Sequence, residues 1–250
     1  MMQFKRPLPA LFILILAGAA AWYGSVYRKP AVNPDPNHTH ADFAVWVDGK
    51  KFDFSGPAYM SESEGEETDG DHETHGHKHH PYLHLHDGIG HVIHRHKPGL
   101  TMGAFLVSMG FSLKEKQGIN GAPSGCVVIP GGRKLCDEQD TIWRVMLNGH
   151  ELSCAPGVEG CPQDGHGETP DRGTDIVEIW KYVFTDGDKM LIEYGDWRAL
   201  ATEGQLQTHF AGMTDDACLY SKTCPWRGKP PAENCIADPA VPCTVPEEDL

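Results

Sequence analysis

The stretch Tyr82-Leu83-His84-Leu85-His86-Asp87-Gly88-Ile89-Gly90-His91-Val92-Ile93-His94-Arg95-His96 decides the fold class. Apolar and polar residues alternate on both sides of an Asp-Gly turn, which is the period of two expected of paired strands. In a pleated strand residues i and i+2 share a face, so His84 and His86 project to one side, and so do His94 and His96. A three-residue turn sets His84 opposite His94. A four-residue turn pairs His86 with His91 and sends His94 to the other face. Register therefore decides whether these imidazoles meet.

Towards the N-terminus, His38-Thr39-His40 repeats the His-x-His spacing, and Phe43 to Val47 and Lys51 to Phe54 flank Asp48-Gly49, a second hairpin signal. Towards the C-terminus, Thr101 caps a helix over Met102 to Phe111, with Phe105, Leu106 and Met109 on its core face. Cys126 to Cys136 reads as a hairpin about Gly131-Gly132, with its ends placed for one disulfide. Ile142 to Leu147 is a strand stopped by Asn148-Gly149. Met190 to Tyr194 is another, after a turn at Asp186-Gly187-Asp188. Glu203 to Met213 reads as a helix with Leu206, Phe210 and Met213 on one side. Hairpins around a short helix give an α+β class with a β-grasp-like arrangement, as one elaborated domain or two small units. The expected organisation is an anchor at 1–30, a His-rich unit at 31–113, a second β-rich unit at 114–196, and a helix with a Cys-rich tail at 197–250. That tail, with four Cys among few apolar residues, reads as a disulfide-stapled extension rather than a core.

Leu8 to Tyr27 is twenty residues without a charge, preceded by Lys5 and Arg6. That is long enough to cross a bilayer and oriented to leave the rest of the chain outside the cytoplasm. A retained single-pass anchor is the favoured reading. A signal peptide cleaved near Ala19-Ala20-Ala21, giving a secreted protein, is the alternative. The eight Cys all follow this segment and none form C-x-x-C, which points to disulfides in an oxidising compartment, with Cys126–Cys136 and Cys154–Cys161 as the expected first pairs. The net charge is −14. Four of the 21 Lys and Arg fall in the first thirty residues, which have no acid, leaving 17 bases against 35 acids beyond them. Such a surface argues against nucleic acid as a partner and favours cations. Residues 61–80 hold seven acids and five His without one apolar side chain, the composition of a disordered loop.

The blocks His38-Thr39-His40-Ala41-Asp42-Phe43, His84-Leu85-His86-Asp87-Gly88 and Val92-Ile93-His94-Arg95-His96-Lys97, in that order, are similar to those of a group of exported, single-anchor, His-x-His-rich proteins of archaea and uncultivated bacterial lineages. The Leu100 to Phe111 helix, the Cys126 to Cys136 hairpin, the Leu147-Asn148-Gly149 turn, the Asp188 to Gly195 strand and Cys218…Cys224-Pro225 extend the likeness over most of residues 37–235. The resemblance implies export and a single anchor. It brings no activity with it.

Three His-x-His blocks in one region point to a transition-metal site of His38, His40, His84, His86, His94 and His96, with Zn, Cu or Ni as the ion, because neutral imidazole suits each of these. Asp42 or Asp87 would complete the shell or orient a ring. His72, His75, His77, His79 and His80 would add loose capture capacity, and His150, His166 and His209 read as isolated surface residues. The leading function is metal capture or delivery by a membrane-anchored extracytoplasmic protein. The alternative is a structural protein whose partner is another envelope protein. A metal-dependent hydrolase or oxidase ranks last, since the chain carries no Gly-x-Ser-x-Gly elbow, phosphate loop or His-Glu-x-x-His helix, and Asp87 is the only carboxylate placed for acid–base work.

Overall fold

β1 (Thr39–Val47) is a nine-residue strand whose odd and even positions have different fates, and the fold is built on its two faces. The computed structural model describes residues 18, 32–33, 38–60, 80, 82–117, 123–138, 140–152, 175–202 and 204–229. The apolar segment Leu8 to Tyr27 (Gly18 apart), the acidic stretch 61–79, the Cys154–Cys161 pair, His166, Cys235 and Cys243 lie outside them. Among the described residues no helix is long and apolar enough to cross a membrane.

β1 pairs through Asp48-Gly49 with β2 (Lys50–Lys51), and both turn residues take left-handed backbone, φ 50° and 73°, as a two-residue hairpin requires. The ladder is short. Only Trp46↔Lys51 and Val47↔Lys50 are matched, and beyond them Phe54 enters the core with Phe52 packed against it. β3 (Leu83–His84) and β4 (Val92–Arg95) form the second hairpin in the first of the two registers, with His84 opposite His94. β4 also pairs antiparallel with β1, placing His40 opposite His94. A separate three-stranded sheet contains β5 (Ser112–Gln117), β6 (Pro123–Val128) and β7 (Lys134–Cys136). The Cys126–Cys136 disulfide joins opposed residues of β6 and β7. β8 (Thr141–Leu147) turns at Asn148-Gly149 into β9 (His150–Glu151), and β10 (Asp188–Asp196) lies between β8 and β1. The main sheet thus runs β3-β4-β1-β10-β8-β9. β1 and β10 are parallel and the other neighbours antiparallel. Strands from residues 31–113 and from 114–196 share this sheet, and Asn33–Leu250 forms one unit.

Odd residues of β1 (Ala41, Phe43, Val45, Val47) enter the larger core with Ile93, Val145, Met190 and Ile192. That core is covered by α1 (Met102–Ser108), whose cap Thr101 accepts a hydrogen bond from Ala104 N at 3.1 Å, and by α2 (Asp175–Lys181). α2 was not expected from the sequence. Its signal is the apolar set Ile176, Val177, Ile179 and Trp180, which follows a Gly/Pro-rich stretch that masks it. The helices meet at Gly103, where an added Cβ would overlap the indole and carbonyl oxygen of Trp180. Gly103→Ala should therefore lower stability by about 1–3 kcal/mol through overpacking, although alanine favours helix. Urea unfolding checks this, and an unchanged or higher midpoint would show that the helices can part without cost.

The even face of β1 carries His40, Asp42, Ala44 and Trp46, and His38 stands just before the strand. Ala44 packs with Met146, Leu191 and Leu206 beneath α4 (Gln205–Ala211), which follows α3 (Trp197–Thr202). Beyond α4, α5 (Ala217–Tyr220) returns across this face, where Ala217 and Tyr220 bury against Val92. This corrects the expectation of a tail without a core. A Cys218–Cys224 disulfide closes the end of α5, and Ser221 and Cys224 are buried.

Candidate metal centre

The alternation of β1, β3 and β4 puts Ala41, Phe43, Val45, Leu83 and Ile93 into the main core and the histidines on the opposite face. Arg95, between His94 and His96, points away from them. Its guanidinium donates to Phe184 O at 2.7 Å and Thr39 Oγ1 at 3.1 Å. The register sets His84, His94 and His40 in a row across three strands, and His86, His96 and His38 lie two residues along from each. All six expected histidines come together. His40, His84, His86, His94 and His96 are buried, and His38 is partly exposed. Ring centroids stand 3.8 Å apart for His86–His94, 4.1 Å for His38–His96, 4.5 Å for His38–His40 and 4.8 Å for His40–His94. Candidate ligand atoms of His38, His40 and His94 lie within 4.8 Å of one another, and these three could hold a metal ion.

His94 is the centre of the cluster. It is fully buried, and among the described residues neither ring nitrogen has a hydrogen-bond partner. Burial holds its pKa well below the usual value, and the neighbouring His40, His86, His38 and His84 push the same way. His96 is pushed down to about 2 by burial first, then by His38 and His84. Both rings are therefore neutral at pH 7, the form that ligates metals.

Two rings are oriented from behind. Asp87 Oδ2 lies 2.6 Å from His86 Nδ1, which makes that nitrogen the donor and leaves Nε2, buried and without a hydrogen-bond partner among the described residues, as the nitrogen that could ligate. Asp87 holds left-handed backbone at φ 58°, in the turn that brings its side chain back to its neighbour. His40 Nδ1 lies 2.9 Å from Ser221 Oγ, which in turn donates to Asp186 Oδ1 at 2.5 Å, while His40 N also donates to Asp186. Burial raises the Asp186 pKa, but hydrogen bonds to His40 and Ser221 outweigh it and the net shift is downward, so the carboxylate stays ionised. Tyr220 closes the face, its ring 4.8 Å from that of His94 and perpendicular to it. Asp42, a candidate for the shell or for orienting a ring, does neither. Its carboxylate accepts from Thr214 Oγ1 and from the backbone N–H groups of Asp216 and Ala217, fastening the start of α5.

Ser221, Asp186 and Tyr220 were missed because they come from a turn and a tail distant in sequence. Asp186 had a signal as a turn residue, whereas α5 had only the short Ala217 to Tyr220 run. His150 is exposed, as expected. His209 is not an isolated surface residue. Its ring stacks on Trp46 at 3.6 Å and its Nδ1 lies 2.9 Å from Glu193 Oε2, a fully buried carboxylate that also accepts from Gln205. His80 also lies outside the cluster, its Nδ1 accepting from Tyr82 N.

The buried rings give a pH dependence with a definite sign. His94 and His96 resist protonation when folded but accept protons near pH 6.5 when unfolded, so the unfolded state binds more protons below that pH. The metal-free protein should be fully stable above about pH 6.5 and lose stability as pH falls, with two such rings approaching a slope of about 2.7 kcal/mol per pH unit. Urea midpoints from pH 7.5 to 5 test this. A flat profile would mean that the cluster takes up protons without unfolding.

No protein-family model, no curated protein and no solved structure matches this chain.

Proposed function

We propose that this chain is a membrane-anchored, extracytoplasmic protein that holds a transition metal ion on the His face of its sheet, for capture or delivery. The observation that carries this reading is His94, a neutral imidazole with both nitrogens buried and unpartnered among the described residues, ringed by other imidazoles. A buried polar atom without a partner costs about 1–3 kcal/mol, and a metal bond is the compensation that fits a cluster of neutral rings. Zn(II), Cu(II) and Ni(II) suit the donor set. The described cysteines, 126, 136, 218 and 224, are all in disulfides, so the site offers nitrogen rather than thiolate. Disulfides also favour an oxidising compartment, in keeping with export across the membrane by the Leu8 to Tyr27 segment. The parallel β1–β10 pair between antiparallel neighbours favours the β-grasp-like reading of the fold.

The acidic exterior concentrates cations near the protein, and the His-rich stretch 61–80 would hold them loosely before transfer to the rigid site. The chain purified with its disulfides intact, then dialysed against a weak chelator, should retain Zn, Cu or Ni. Replacing His72, His75, His77 and His79 by Gln should lower capacity only, whereas His84→Ala with His86→Ala should abolish tight binding. If the Gln variant alone loses all tight binding, the metal belongs to the acidic stretch and the sheet-face reading fails.

A further inference from the structure

α5 is one turn of helix, Ala217–Tyr220, and a helix that short does not hold itself in water. Two fasteners keep it over the histidines. Asp42 accepts from the backbone N–H groups of Asp216 and Ala217 at its start. At its end the Cys218–Cys224 disulfide closes a loop with a sequence separation of 6. The two side chains that reach the histidines from this segment lie inside that loop. Ser221 Oγ is 2.9 Å from His40 Nδ1, and the Tyr220 ring stands 4.8 Å from that of His94 and 5.6 Å from that of His40. Lys222 completes the loop in left-handed backbone, φ 56°, which a lysine seldom adopts. The two sulfurs differ in their surroundings. Cys224 is buried, whereas Cys218 is partly exposed. Arg227 Nη1 lies 3.7 Å from Cys218 Sγ, and the guanidinium is fixed there by Asp216 Oδ1 at 3.0 Å and by Asp215 O. A guanidinium beside a cysteine favours its thiolate and so makes it a better leaving group. The Cys126–Cys136 pair, by contrast, ties two strands of the separate sheet.

We propose that the Cys218–Cys224 disulfide is a redox latch on the histidine face, opened by a dithiol reductant to release the bound ion. The inference rests on the reading of the face as a metal centre. A thiolate of the dithiol attacks Cys218 Sγ, the more exposed sulfur. The Cys218–Cys224 bond breaks, and Cys224 leaves as a thiolate that takes up a proton. The second thiol of the reductant, once deprotonated, attacks its own sulfur in the mixed disulfide. Cys218 then leaves as a thiolate beside Arg227, and the reductant departs as a disulfide, having supplied two electrons. No covalent bond now closes the loop of Tyr220 and Ser221. Asp42 still holds the start of α5, but Ser221 no longer positions His40 and Tyr220 no longer abuts His94. Loss of a partner that orients a ligand weakens metal affinity about 10–100-fold. The ion is held while the disulfide is intact and given up on reduction.

The test measures Zn(II) affinity, by competition with a chromogenic chelator, in the full chain carrying His72, His75, His77 and His79→Gln. Adding Cys218→Ala with Cys224→Ala, which leaves no bond to close the loop, should weaken binding about 10–100-fold. Adding Cys126→Ala with Cys136→Ala instead should leave it unchanged. Unchanged affinity in the Cys218/Cys224 variant overturns the latch and leaves the metal reading standing. Equal weakening in both variants also overturns the latch, since the loosening would then be general. A parent that retains no Zn(II) overturns both readings. The order of reduction needs no cysteine variant. Graded dithiothreitol on the metal-free parent, with thiols capped by iodoacetamide and located by mass spectrometry, should expose Cys218 and Cys224 before Cys126 and Cys136. The reverse order overturns the proposal even if the Cys218/Cys224 variant fails to fold.

Discussion

His94→Gln abolishes metal retention. His94 pairs from β4 with both His40 and His84, touches the rings of His40 and His86, and belongs to the trio whose ligand atoms lie within 4.8 Å of one another. Loss of an orienting partner behind a ligand costs about 10–100-fold in affinity, and loss of the central ligand exceeds that range. Competition with a chromogenic chelator should show more than about a 100-fold weakening. The substitution also removes a buried ring that resists protonation, so the metal-free variant should lose less stability between pH 7 and 5 than the parent. His150→Gln, at an exposed position on β9, should change neither property. Retention of the metal by the Gln variant within tenfold of the parent affinity would remove His94 from the site.

Asp42→Ala detaches the segment that roofs the histidines. The carboxylate is buried and accepts three hydrogen bonds, from Thr214 Oγ1 at 3.0 Å, Asp216 N at 2.9 Å and Ala217 N at 3.0 Å. Hydrogen bonds to a charged acceptor are worth about 1.5–3 kcal/mol each, and because these three act as a unit the expected loss is about 3 kcal/mol rather than their sum. Burial raises the Asp42 pKa, and the three hydrogen bonds oppose that shift only in part. Once α5 lifts, Ser221 leaves His40 and Tyr220 leaves His94. Hydrogen exchange should accelerate at Ala217 to Ser221, and bound metal should leave faster, while Asp42→Asn, which keeps one acceptor oxygen, should fall between. Slow exchange at Ala217 in the Ala variant would show that the Cys218–Cys224 loop and the Ala217–Tyr220–Val92 contacts hold the roof unaided.

The His-x-His blocks were legible because strand alternation is local, and it alone puts the two rings of a block on one face. Which rings face each other was not. The hairpin at Asp87-Gly88 admits two registers, and the choice is reinforced by β1, which pairs with the other edge of β4 and brings His40 opposite His94. The hairpins at Asp48-Gly49 and Gly131-Gly132, the strand stop at Asn148-Gly149 and the Thr101 cap were readable from turn and capping chemistry within a few residues. The parallel pairing of Ala41 with Asp188 joins residues about 150 apart and leaves no local trace. The tail was misjudged for a related reason. Ala217, Tyr220, Ser221 and Cys224 are few and scattered, yet they are buried because the sheet presents Val92, Asp42 and His40 to receive them. His209 looked solitary because its partners, Trp46 and Glu193, lie on strands remote in sequence.

X-ray absorption at the edge of whichever metal the full chain retains tests the central claim most directly. A nitrogen or oxygen shell at about 2.0–2.1 Å for zinc, with the outer scattering of at least three imidazole rings, is the expected result. A sulfur shell near about 2.3 Å, or a shell without imidazole scattering, would place the ion elsewhere on the protein and contradict the account.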